Sequence, residues 1–298
     1  MPNPILPAWE YIPDGEPRVF GDRVYLYGSH DRAAQSDFCD YKLKVWSAPL
    51  DDLNNWVCHG HSFHTRDDRD HKSDTEGMTD RKLFAPDVIE KDGRYYLYAY
   101  IVGSKGVVGV SDKPEGPFTD HGKMFRSNEI NVQNSIDPFY IEDGGKKYLF
   151  WGSFRGIYGI ELSDDGLSVR KGAKLRRVAG TAYEGTYIHK KDGYYYFFAS
   201  IGTCCEGLKS TYTTVVGRSK KLFGPYVDKN GKKMLDNHHE ILIHKNEAFV
   251  GTGHNSEIVT DKAGNDWVFY HAVSTKNPGG RVLMLDKVCL LYTSDAAD

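Results

Sequence analysis

The chain has 298 residues, 38 Lys and Arg against 41 Asp and Glu, and a formal net charge of −3. That length lets one domain bury a large core, and the near-neutral balance gives no electrostatic case for nucleic acid or an anionic membrane. No run approaches the roughly 18 apolar residues needed to cross a bilayer, while 31 Gly and 20 Tyr fit short strands joined by tight turns.

The opening MPNPILPAWEYIPDGEP lacks a basic flank and a long apolar segment, so it does not read as a secretory signal, and a cytoplasmic location is expected. Five units of similar design follow. The first holds PDGEPRVF (13–20), the aromatic strand VYLYGS (24–29) and SAPLDDLNNW (47–56). A charged insertion then runs from Gly60 to Lys82. His59, His61 and His64 look at first like a metal cluster, but their charged neighbours fit a solvated loop, and contact at a substrate rim is the preferred role. The second unit holds APDVIEKDG (85–93), YYLYAY (95–100) and GVVGVSD (106–112), and ends in KPEGPF (113–118). The third holds IDPFYIEDGG (136–145), YLFWGS (148–153) and IYGIELS (157–163). The fourth holds YEGTYIHKKDG (183–193), YYFFAS (195–200) and TTVVGRS (213–219), and ends in KLFGPY (221–226), a close copy of the second unit's ending. A second insertion covers about residues 228–247. The fifth holds HNSEIVTDKAG (254–264), WVFYHA (267–272) and GGRVLMLDKV (279–288). Residues 289–298 lack any matching motif and read as a non-native tail, so the last unit is expected to lack its final strand or to be closed by the N-terminal segment.

Asp-Gly turns between β-formers predict hairpins. Strand, hairpin, strand, strand, repeated five times, predicts an all-β, five-bladed β-propeller over residues 1–288. The five cysteines, Cys39, Cys58, Cys204, Cys205 and Cys289, show no zinc spacing. A bond between the adjacent Cys204 and Cys205 would be strained, so thiols are expected.

One polar residue precedes each aromatic strand: Asp14, Asp87, Asp137, Glu184 and His254. Taken singly, the acids have structural readings. Asp14 sits in turn chemistry, Asp87 can bond backbone amides, and Asp137 before Pro138 is expected to be extended. Recurrence at matched positions tips the balance toward chemistry, because starts of inner propeller strands converge at one mouth of the channel. Three carboxylates sharing a pocket cannot all ionise at their solution pKa values. Separated pKa values are what acid–base hydrolysis of a glycoside uses. The tryptophans Trp9, Trp46, Trp56, Trp151 and Trp267 read as packing between blades. Trp151, with Phe154 and Arg155, is the better candidate for the substrate rim.

These motifs, in this order, resemble glycoside hydrolase family 43 over the chain up to about Val288. The resemblance maps the opening PDGEP to the general base Asp14 and APDV to a support at Asp87, with Phe84 where Trp is common. It maps NSIDPFY to an acid-tuning Asp137, YEGTYI to the general acid Glu184, and GTGHNS to the axial His254. GGRVLMLDKV maps to a sugar-contacting Arg281. It implies an inverting, exo-acting hydrolase of the α-L-arabinofuranosidase or β-xylosidase type, acting on plant-derived oligosaccharides. No cofactor is required under this reading, although a calcium or other ion beside His254 is implied by several family members. The substrate-binding set is then Arg281, Phe84, Trp151, Phe154 and His254. An endo-acting arabinanase-like hydrolase and a non-catalytic glycan-binding propeller are the alternatives. Retaining fructoside hydrolases of similar fold are disfavoured, because their Arg-Asp-Pro and Glu-Cys signatures are absent.

Overall fold

The computed structural model describes residues 3–35, 38–67, 69, 72–75, 81–101, 105–126 and 130–288. They form a five-bladed β-propeller. Blade one is β1 (Glu16–Phe20), β2 (Arg23–Gly28), β3 (Lys42–Pro49) and β4 (Val57–His64). Blade two is β5 (Leu83–Lys91), β6 (Arg94–Ile101), β7 (Lys105–Ser111) and β8 (Thr119–Arg126). Blade three is β9 (Phe139–Asp143), β10 (Lys146–Trp151), β11 (Ile157–Glu161) and β12 (Arg176–Ala179). Blade four is β13 (Glu184–Lys191), β14 (Tyr194–Ile201), β15 (Thr213–Ser219) and β16 (Glu240–Ile243). Blade five is β17 (Phe249–Gly253), β18 (Ile258–Thr260), β19 (Asp266–Ser274) and β20 (Arg281–Lys287). Blades one to four are antiparallel meanders, and among the described residues a single parallel pair, Thr213 with Thr252, joins blades four and five.

The aromatic strands are the second strands of the blades, and their alternate residues face the two neighbouring blades. The core is therefore a series of seams between blades. Leu26 and Trp46 of blade one pack with Phe269 and Leu285 of blade five. Tyr98 of blade two packs with Leu149 and Trp151 of blade three, and Phe150 of blade three with Phe197 of blade four. The predicted Asp-Gly hairpins are present: Asp92–Gly93 and Asp192–Gly193 both have positive φ, as a two-residue primed turn requires.

In blade five, β17 and β18 pair with opposite ends of β19 and together make one interrupted inner strand. Residues 3–5 lie along the outer edge of β20. Ile5 donates its N–H to Leu283 (3.1 Å), and Leu285 donates to the Asn3 side chain (2.9 Å). The edge where a further strand was expected is thus covered by the N-terminal segment. The proposed tail, with Cys289, lies outside the described residues.

The Gly60–Lys82 insertion differs from expectation. Its first residues, through His64, continue β4 rather than looping out, because they pair with Lys42–Val45. His61 stacks edge-on between His30 and His64, and His59 meets Ser47 at 2.7 Å. These histidines do not line the cavity where Asp14, Asp137 and Glu184 meet, nor the one beside it, so the rim role is withdrawn. They pack an outer strand.

The inner strands enclose an axis plugged by a buried charge cluster. Arg18 of β1 makes two 2.9 Å hydrogen bonds to Asp87 of β5 and pairs with Glu257, and Glu16 lies 3.8 Å away. Asp87 also accepts from the Tyr140 N–H at 2.8 Å, tying blades one, two and three. Below it the axis opens into a cavity of about 550 Å³ lined by all five inner strands. Asp87, fully buried here, is thus a support and not part of the upper pocket. Replacing Arg18 with Met would leave the fully buried Asp87 and the partly buried Glu16 and Glu257 without their cation. A loss of about 3–5 kcal/mol is expected, read as a lower urea midpoint.

Candidate active site

Each inner strand begins with one residue in the left-handed region: Asp14 (φ 55), Ala85 (φ 34), Asp137 (φ 58), Gly185 (φ 64) and His254 (φ 50). L-residues rarely adopt this conformation, and clusters of such residues mark sites where side chains are re-aimed. This ring corrects the sequence register. Ala85, not Asp87, is the equivalent of Asp14 and Asp137. It also corrects the extended conformation expected for Asp137.

Ends of the aromatic strands latch these positions across blades. Ser29 accepts the Ala85 N–H (2.9 Å), and Ser200 accepts the His254 N–H (2.7 Å). His271 meets the Asp14 N–H (3.3 Å), and Ser153 donates to Glu184 (2.6 Å). The GS and AS endings carried this signal in the sequence, yet the latching role was not read there.

Asp14, Asp137 and Glu184, from blades one, three and four, line one cavity of about 260 Å³ with His254, Phe84, Phe154, Tyr212 and Arg281. Of the eight predicted site residues, all but Trp151 line this cavity. Trp151 is 1 % exposed and lies in the seam between blades two and three, which rules it out as a rim residue. Phe154, with φ 47, turns into the cavity instead. Trp9, expected in packing, is 64 % exposed.

The two sides of the cavity differ in charge. Burial alone would push the Asp14 carboxyl up. Arg281 (3.3 Å), His254 (3.3 Å) and His271 (3.1 Å) outweigh burial and hold it well below the usual carboxylate range. Arg281 is itself clamped by Asp31 through two 2.9 Å hydrogen bonds. His254 and His271 are themselves pushed down by burial, so near pH 7 the charge that holds Asp14 ionised is that of Arg281. On the other side, burial and the neighbouring Glu184 and Asp14 push Asp137 well above its ordinary range, although the Gly185 N–H (3.2 Å) partly offsets this. Protonation of Asp137 is therefore favoured relative to Asp14. Glu184 receives hydrogen bonds from Ser153 and Tyr212, both at 2.6 Å. Tyr212 stacks on His271 with ring centroids 5.5 Å apart, so it links the two sides. Sequence reasoning missed Tyr212, Asp31 and His271. Tyr212 stands in a loop with no local pattern, whereas His271 replaces a small residue within an aromatic strand.

Calcium takes six to eight oxygen ligands. His254 turns Nδ1 to Asp14, and among the described residues no three His, Cys, Asp or Glu side chains are grouped to hold a metal. An ion beside His254 would be held mostly by water.

Cys204 and Cys205 were expected as thiols. They are instead joined to each other by a disulfide at the cavity mouth. Cys39 and Cys58 are free thiols.

The model of glycosyl hydrolases family 43 matches residues 1–290. The chain belongs to this family. It is 31 % identical over 317 residues to a xylosidase/arabinosidase of Thermoclostridium stercorarium, with 97 % of the chain and 64 % of that protein covered. It is 37 % identical over 221 residues to the extracellular exo-α-(1→5)-L-arabinofuranosidase ArbA of Cellvibrio japonicus, with 65 % of the chain and 63 % of that protein covered. The chain thus spans less than two thirds of these relatives' lengths. Among solved structures, the α-L-arabinanase of Cellvibrio cellulosa complexed with arabinohexaose superposes with a TM-score of 0.76 at 27 % identity, covering 94 % of this chain and 92 % of that one. The five blades and the family membership agree.

An acid whose pKa is raised by folding destabilises the fold above that pKa, and stability returns as pH falls through it. Asp137→Asn removes this burden and keeps an acceptor for the Gly185 N–H. The variant is expected to gain on the order of 1 kcal/mol at pH 7. Its urea midpoint should also lose the rise that the wild type shows on acidification.

Proposed function

We propose that this chain is an inverting, exo-acting glycoside hydrolase that releases arabinofuranose or xylose from plant-derived oligosaccharides. One observation carries the reading: three carboxylates from three blades line one cavity, with Asp14 held well below and Asp137 pushed well above the usual carboxylate range. Pairs of acids with separated pKa values are the signature of acid–base work.

In the proposed mechanism, Asp14 takes the proton from a water that attacks the anomeric carbon. Glu184 gives its proton to the departing glycosidic oxygen. Asp137 keeps the pair protonated until that step and positions Glu184's strand through Gly185. Ser153 and Tyr212 hydroxyls can each donate or accept, so they hold Glu184 in both of its protonation states. Phe84 and Phe154 supply apolar walls for a sugar face. Arg281 reaches the sugar only from beneath, because its guanidinium is occupied by Asp31 and Asp14. The choice of exo action follows the printed activity of the Cellvibrio japonicus relative. The relatives' printed activities on arabinosides and xylosides support the choice of pentose.

Asp14→Asn and Glu184→Gln are each expected to lower kcat on aryl arabinofuranoside or xyloside by about 10²–10⁴-fold. NMR should show the first-formed product with inverted anomeric configuration. Retained configuration, or unchanged kcat in both variants, refutes the assignment. On a linear oligosaccharide, exo action gives a single sugar as the first product, and a ladder of shorter chains would instead mark endo action.

A further inference from the structure

The loop between β14 and β15 is pinched at its neck. Thr203 donates its N–H to Thr211 Oγ1 (3.1 Å), and Thr211 donates its N–H to Thr203 O (3.0 Å). At the start of the pinched segment stands the Cys204–Cys205 disulfide. Both cysteines line the reaction cavity and also a second cavity of about 310 Å³. Among the described residues, Phe38 and Arg281 alone share that double position with them. Arg281 spends its hydrogen bonds on Asp31, Asp14 and Cys39. That leaves the disulfide as the surface a ligand can lean on at the junction, beside a Phe38 ring that is 41 % exposed and already packed with Phe84, Lys82 and Arg281.

A disulfide presents polarizable sulfur and no hydrogen-bond donor, so it suits the C–H face of a sugar. Joining the two side chains also makes one rigid slab of what would be two rotating thiols, and a pre-organised wall costs less to order on binding. The second cavity completes a carbohydrate-like lining, with Gln35, Arg32 and Glu206 as polar groups and the backbone of Gly279–Gly280 beside them.

We propose that the Cys204–Cys205 disulfide is a specificity-determining wall that seats a second sugar residue of the substrate in the adjoining cavity. It gives the enzyme its preference for an oligosaccharide over a single glycoside. The proposal rests on the glycosidase reading above and deepens it.

The test compares the wild type, C204S/C205S and Phe38→Ala on an aryl α-L-arabinofuranoside and on arabinotriose, and on the xylose counterparts. Loss of the wall should lower kcat/KM on the trisaccharide, mainly through KM, by about 10-fold or more beyond whatever loss the aryl glycoside shows. Equal losses on both substrates would mean that the bond merely braces the loop, and unchanged values would mean that the wall is idle. Either result overturns the proposal. Should C204S/C205S fail to fold, treatment of the wild type with dithiothreitol serves instead. The reagent becomes a cyclic disulfide as the Cys204–Cys205 bond opens to two thiols, and reoxidation should restore the preference.

Calorimetry separates this idea from the glycosidase reading. If the wild type hydrolyses nothing, that reading falls. The wall is then judged by whether trisaccharide binds more tightly than monosaccharide to the wild type and loses that margin in C204S/C205S. Equal margins in the two proteins overturn it.

Discussion

A carboxylate stays charged inside a protein only when a cation beside it is itself held in place. Arg281 meets that condition at the join of the ring. It stands at the start of β20 in the last blade, and Asp31 of the first blade fixes its fork through two 2.9 Å bonds. The remaining nitrogen faces Asp14. The same guanidinium therefore closes blade five onto blade one and keeps the proposed base ionised. The reactive corner depends on closure of the whole propeller, and the outer edge of β20 is in turn covered by residues 3–5.

The five inner-strand starts share one backbone conformation but not one chemistry. The ring reads Asp14, Ala85, Asp137, Gly185 and His254. Glycine is required in blade four because a Cβ there would meet the His254 ring at 3.2 Å in addition to the positive φ. The acid of that blade is displaced by one residue, to Glu184. Equivalent positions thus receive different side chains. The asymmetry of charge, with Asp14 pushed down and Asp137 pushed up, comes from which neighbours each blade brings.

Much of this architecture was legible in the chain. Hairpins at Asp92–Gly93 and Asp192–Gly193, the aromatic second strands and the five-unit order all rest on local patterns, and local patterns survive in a linear reading. Asp14, Asp137, Glu184, His254 and Phe84 were found by recurrence and resemblance, Phe154 by its place past a strand end, and they do meet in one cavity. Asp87 was set in the wrong register because two residues of slip are invisible without the backbone. Trp151 was misread because a strand end looks the same in sequence whether it faces solvent or the next blade. The Cys204–Cys205 bond was set aside on strain grounds, and the pinched loop that carries it could not be seen.

The sequence by itself determined the repeat: five β units, each with a polar residue just ahead of an aromatic strand, and the family that this order marks. Tertiary structure decided which of those residues act together and in what charge state. The reason is distance along the chain. The Arg281–Asp31 contact spans 250 residues, Arg281–Asp14 spans 267, and His271–Asp14 spans 257. Electrostatic tuning depends on separations of a few ångströms, and those exist only once the five blades have closed.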